Sequence, residues 1–158
     1  MGKGAWLYLL RSHLIEAAFP ALTASNYQIT SPASPDYNCL AWAASTDNKW
    51  WWPDNQNTAY WPLEAPREET VDAFVKAYSL AGYSPCNDSH YERGVEKIAI
   101  YLSADGKPTH AARQLPSGRW TSKLGEREDI EHETLSDIAG QHYGNVAVIM
   151  RRPNSNFP

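Results

Sequence analysis

What most constrains this chain is the point at which its hydrophobic periodicity changes. From residue 95 the sequence reads VEKIAIYL, SADGKP, THAARQL, PSG and RWTSKL. Three apolar or alternating runs are separated by turn residues, the pattern of strands joined as an antiparallel meander. The polar stretch GEREDIEHETLSDIAG is read as one short helix, and YGNVAVIMRRP supplies a fourth apolar strand. Ahead of this half the regular patterns are helical. Residues 5 to 19 place Trp6, Leu9, Leu10, His13 and Ala17 at helical spacing until Pro20 stops them. Val71, Phe74, Val75 and Tyr78 share a helical face that ends at Gly82, a natural helix C-cap. Helices first and sheet second predict an α+β domain, with N-terminal helices packed on a C-terminal antiparallel meander sheet.

Between the two predicted helices lie the segments that carry chemistry. Residues 24 to 37, rich in Ser, Pro and Asn, read as an extended loop, after which NCLAWAA resumes a helical pattern with Cys39 in its first turn. Residues 46 to 67 are too broken by Pro, Asn and Asp for regular structure and form a long loop holding Trp50, Trp51, Trp52 and Trp61. At 158 residues and 42% hydrophobic content, the chain is expected to form one domain with a real core. A net charge of −4 without a Lys/Arg cluster argues against nucleic-acid binding. The apolar run AWLYLL, broken by Arg11 and His13, is too short for a signal peptide or a membrane span. The expected location is cytoplasmic, or outside the cell by an export route that needs no leader. Cys39 and Cys86 could pair, although a reducing compartment keeps thiols free. Cys86 and His90 are zinc-ligand types without a second pair, so no metal and no cofactor are expected.

A thiol at a helix start is stabilised as thiolate by unpaired backbone N–H groups, and such a Cys39 should alkylate below pH 8. It needs a base, and among the five histidines His110 is best placed, opening a strand after an Asp-Gly turn where it can face a helix end. His13, His90, His132 and His142 are read as helix-face, loop or surface residues.

The run HAARQLPSGRWTSK, together with KIAIYL before it and YNCLAWA at the cysteine, resembles the NlpC-type cell-wall peptidases, a papain-like family, over residues 36 to 125. In that family the catalytic His opens a strand that turns through a Gly-Arg-aromatic step, and a third polar residue follows on the next strand. The resemblance implies a papain-like fold and a Cys39–His110 pair, with Ser122 where the family usually has a second histidine. Asp129 in REDIEH is the alternative residue to orient the imidazole. Leu40 stands where the family has a small residue, and Asn38 where it has Asp. The expected activity is a cysteine hydrolase acting on a peptide or peptidoglycan-type amide, with Tyr37 and Asn38 at the substrate and the Cys39 N–H and a donor from the 36 to 38 loop holding the oxyanion. Trp50, Trp51, Trp52 and Trp61 either fill the core or wall the substrate cleft, and Lys123 is either a strand-edge residue or an anion contact. A small amidase of this kind also resembles toxins that bacteria inject into rivals. Two other readings stand beside it: a transferase or deamidase on the same fold, and a non-catalytic module binding through the tryptophan loop. The whole chain further resembles an uncharacterised bacterial family in which the YNCLAWA, WWWP, THAARQ and WTSKLG blocks occur together.

Overall fold

The computed structural model describes residues 2–158. The chain forms α1 (Lys3–Ala18), β1 (Tyr27–Ser31), α2 (Cys39–Ala43), α3 (Val71–Leu80), β2 (Ser84–Cys86), β3 (Val95–Leu102), β4 (Pro108–Gln114), β5 (Trp120–Lys123), β6 (Asp129–His132) and β7 (Asn145–Pro153). It is an α+β fold built on a single seven-stranded sheet in the order β1-β6-β5-β4-β3-β7-β2. Every neighbouring pair of strands is antiparallel.

The sheet is covered on both faces. Side chains alternate along a strand, so β3 sends Ile98 and Ile100 to one core and Ala99 and Tyr101 to the other, and nearly all of VEKIAIYL is buried. The first core lies under α2, α3 and the tryptophan loop and includes Cys39, Leu40, Phe74, Tyr78 and Ala111. The second includes Ile15 and Phe19, at the end of α1, together with Tyr101, Ala112, Trp120 and Ile130. Thr70 caps α3 by accepting from the Ala73 N–H at 3.2 Å, and Gly82 follows the helix at φ +96°. A left-handed residue at this place closes a helix end at low cost only as glycine.

Three expectations require correction. Residues 24–37 contain β1, which pairs with β6 through Tyr27↔His132 and Ile29↔Ile130. The polar stretch after β5 holds β6 and a 3₁₀ turn at Leu135–Ile138 rather than an α-helix. Finally, α1 forms but does not pack through the predicted face: Trp6, Leu9 and Leu10 are exposed, and Ile15 alone of its residues is buried. The segment gains its helical bonds from local geometry, while only its last turn finds a neighbour.

Candidate active site

Cys39 begins α2, a helix of five residues fixed by its cap. Asn38 is extended and its Oδ1 accepts from the Ala41 N–H at 3.2 Å, which satisfies one of the donors a helix start leaves open. The same side chain accepts from the Trp51 N–H at 3.0 Å and donates to the Trp51 carbonyl at 2.7 Å, so it also ties the tryptophan loop to the helix. Asn38 is thus committed to structure. Tyr37 is likewise engaged, its hydroxyl donating to Asp129 at 2.6 Å and its ring meeting Trp42 at a tilt, with centroids 5.5 Å apart.

The thiol of Cys39 is buried against β4. The backbone amides of Ala111, Leu40 and Cys39 itself point at the sulfur and favour the thiolate, but burial outweighs them and pushes the thiol up to about 11. The expected low-pKa thiol is therefore corrected: at neutral pH Cys39 is protonated.

His110 is completely buried on β4. Its ring lies flat against Tyr143, with centroids 4.0 Å apart and planes at 11°, and meets Tyr101 edge-on at 5.4 Å. Its Nε2 is 3.0 Å from Ser122 Oγ, Ser122 Oγ is 2.8 Å from His132 Nε2, and His132 Nδ1 is 2.8 Å from the Thr134 carbonyl. His110 Nδ1 has no hydrogen-bond partner. Burial lowers both imidazoles, His110 well below the usual histidine value and His132 to about 4, so both are neutral.

The two principal residues occupy different faces of the sheet. Cys39 belongs to the core under α2, whereas His110 lies with Tyr101, Ser122 and His132 on the other face. No hydrogen bond joins the thiol to the ring. The backbone ladder beside them is incomplete. The β4–β5 ladder pairs only Arg113 with Thr121 and Gln114 with Trp120, so Pro108–Ala112 of β4 make no ladder pairs with β5, and the His110 and Ser122 side chains bridge the two strands there. Beside Thr109 of that segment is a cavity of about 340 Å³ lined by Asn38, Cys39, Trp50, Trp52, Thr109, Gly125 and Tyr143. Cys39 reaches it from one face and Tyr143, the cover of His110, from the other.

The seat of Tyr143 is set by the residue after it. Gly140 and Gly144 exchange backbone hydrogen bonds of 2.9 and 2.7 Å. Gly144 has φ +72°, and a Cβ there would fall 1.9 Å from the Leu102 carbonyl oxygen. Only glycine fits this crossing.

The remaining expected site residues divide. Ser122 is the partner of His110, as its strand position implies. Asp129 is not: it pairs across from Lys123, and its carboxyl takes the hydroxyls of Tyr37 and Ser31. Lys123 is buried and spends its three donors on the carbonyls of Ser34, Gly125 and Arg127, so it is no anion contact. Trp51 and Trp61 are core residues, Trp51 stacked on Tyr78 and Trp61 donating to the Pro66 carbonyl at 2.9 Å. Trp50 and Trp52 line the cavity. His132, expected on the surface, is fully buried. Its signal was the alternation of Ile130 and His132 in DIEH, which puts both on one face of a strand. Cys39 and Cys86 are free thiols. Among the described residues no three or more His, Cys, Asp or Glu side chains converge to hold a metal ion, and no helix is long and apolar enough to cross a membrane.

Residues 28–151, which contain every element of this site, match the model of a family described as Domain of unknown function (DUF7689). The chain belongs to that family. No curated protein and no solved structure matches it. The family description assigns no chemistry, so a functional reading draws on the residues themselves.

Proposed function

We propose that this DUF7689 protein is a cysteine-dependent amide-bond hydrolase, papain-like and of the NlpC type, acting on a peptide or peptidoglycan-type bond. The observation that carries the reading is His110 Nδ1, a buried ring nitrogen with no partner, on a ring stacked against Tyr143, which lines the cavity that holds the Cys39 thiol. A buried polar atom left unpaired costs about 1–3 kcal/mol, and such groups persist where chemistry uses them.

In this mechanism the scissile carbonyl enters between Trp50 and Tyr143. Thiol and imidazole both start neutral and on opposite faces of the sheet, so passing the thiol proton to His110 Nδ1 as the sulfur attacks requires Tyr143 to move off the ring when substrate binds, and a resting thiolate–imidazolium pair is not required. The amide groups at the start of α2, already directed at the sulfur, take the developing oxyanion. His110 returns the proton to the leaving amine, leaving a thioester on Cys39. Water, deprotonated by His110, then cleaves the thioester, and the acid product departs as the thiol is restored. Thiol–imidazole distances in ligand-free sites commonly exceed those of the reacting complex.

One observation favours the non-catalytic alternative: the thiol at rest is protonated and makes no hydrogen bond to the ring. Intact-mass spectrometry with a peptidyl acyloxymethyl ketone, alongside turnover of a peptide and muropeptide panel, separates the readings. The hydrolase gives one adduct on Cys39, absent in Cys39→Ala and at least 100-fold slower in His110→Ala. Conversion of a glutamine to glutamate with ammonia release, or formation of a new amide with an added amine, would assign the same thioester to a deamidase or a transferase respectively. No adduct and no turnover, with peptide binding retained, would leave a binding module. Without substrate, iodoacetamide should label the half-buried Cys86 first, and labelling of Cys39 should be slow at pH 8 and rise towards pH 11. Fast labelling of Cys39 at pH 6 would contradict the protonated resting thiol.

A further inference from the structure

The Thr134 carbonyl is the fixed end of a chain of three hydrogen bonds that reaches His110. A carbonyl oxygen only accepts, so the nitrogen facing it, His132 Nδ1, carries a proton. A neutral imidazole then has no proton left for Nε2, and His132 Nε2 is an acceptor. The group beside it at 2.8 Å is the Ser122 hydroxyl, which must donate. Having given its one proton away, Ser122 Oγ can only accept from His110, whose Nε2 at 3.0 Å must therefore carry a proton. The lone pair of His110 is left on Nδ1, the nitrogen without a partner.

We propose that the Thr134–His132–Ser122 relay locks His110 as the Nε2–H tautomer with its lone pair on Nδ1, making His132 a positioning residue for the base. The tautomer follows from hydrogen-bond direction alone. The role of His132 towards a base rests on the hydrolase reading above. Depressed basicity of both rings supports the premise of neutrality, since a charged ring would donate at both nitrogens and break the sequence of directions. The relay also explains how a serine can stand at this position. It has no charge with which to hold an imidazole, but it transmits the direction imposed from β6 and the Thr134 carbonyl.

The test is a long-range ¹H–¹⁵N spectrum of the full chain with ¹⁵N-labelled histidine at pH 7.5, which distinguishes protonated from unprotonated ring nitrogens. His110 is assigned by its loss in His110→Gln. Wild-type protein should show His110 as a single Nε2–H tautomer and His132 as a single Nδ1–H tautomer. Ser122→Ala and His132→Asn should each turn His110 into a mixture of tautomers, and Ser122→Thr, which keeps the hydroxyl, should restore the single form. The wild-type spectrum decides even where a variant fails to fold. His110 as Nδ1–H, or a His110 tautomer unchanged in both Ser122→Ala and His132→Asn, would overturn the relay. An intact wild-type relay together with a Cys39 that forms no adduct supports the tautomer lock while removing the hydrolase reading, so the two fail separately.

Discussion

The two faces of the sheet bury their side chains for different ends. Under α2 and α3 the core is aromatic and alanine packing: Phe74 meets Trp61 at 5.2 Å and Trp52 edge-on at 5.6 Å, with Ala73, Ala77 and Ala111 between. On the opposite face the last turn of α1 leaves room for a chain of polar groups, His110, Ser122 and His132, each fully buried. Burying polar side chains is unfavourable unless their hydrogen bonds are made, and here all are made except His110 Nδ1. Both faces bear such a cost, Trp51 Nε1 being unpaired under α2 and His110 Nδ1 opposite, and only at His110 is chemistry proposed.

That contrast can be broken in three ways. The largest effect belongs to the apolar face: Phe74→Ala should lower the free energy of unfolding by about 3–5 kcal/mol, measured by urea titration. A loss under about 1 kcal/mol would mean that α3 does not hold the core. The polar face should instead respond to acid. His132 is held at about 4, below its unfolded value of 6.5, so the unfolded chain binds the proton first. Its contribution is complete above pH 6.5 and is lost as pH falls to about 4, amounting to about 3 kcal/mol at about 1.4 kcal/mol per pKa unit. His132→Gln should flatten that part of the stability profile, whereas an unaltered slope would place the acid sensitivity elsewhere. The smallest effect is expected in α1, where Leu9→Ala and Leu10→Ala remove exposed side chains and should each change stability by less than about 0.5 kcal/mol. A loss of 2 kcal/mol or more would show that the exposed helix packs against something in solution.

How far the fold was legible follows from where its information lies. β3, β4, β5 and β7 are bounded by turn residues and carry enough apolar side chains to be read locally. β1 and β6 are short and polar, and they become strands by pairing across about a hundred residues, Tyr27 with His132. Nothing within either segment announces that pairing. The same limit governs the site. Ser122 was reached through the resemblance to the NlpC-type peptidases, which places a polar residue on the strand after His110. His132 could be recognised only once β6 was known to lie beside β5, and Asp129 was misread because its own strand turns it to the other face. The thiol was misjudged for a related reason: the helix start is visible in sequence, but the depth at which it is buried is not.

A β-sheet ordinarily acts as a partition, because its ladder fills the space between strands and chemistry on one side is insulated from the other. Beyond Arg113 and Thr121 the partition between β4 and β5 lacks backbone rungs and is bridged by the His110 and Ser122 side chains instead. Under the proposed reading, the thiol carried by a helix on one side and the imidazole wired to the other side would have to serve one bound molecule without either crossing the sheet's edge. Acquiring or losing a few backbone rungs there would open or shut such an arrangement while leaving both cores as they are.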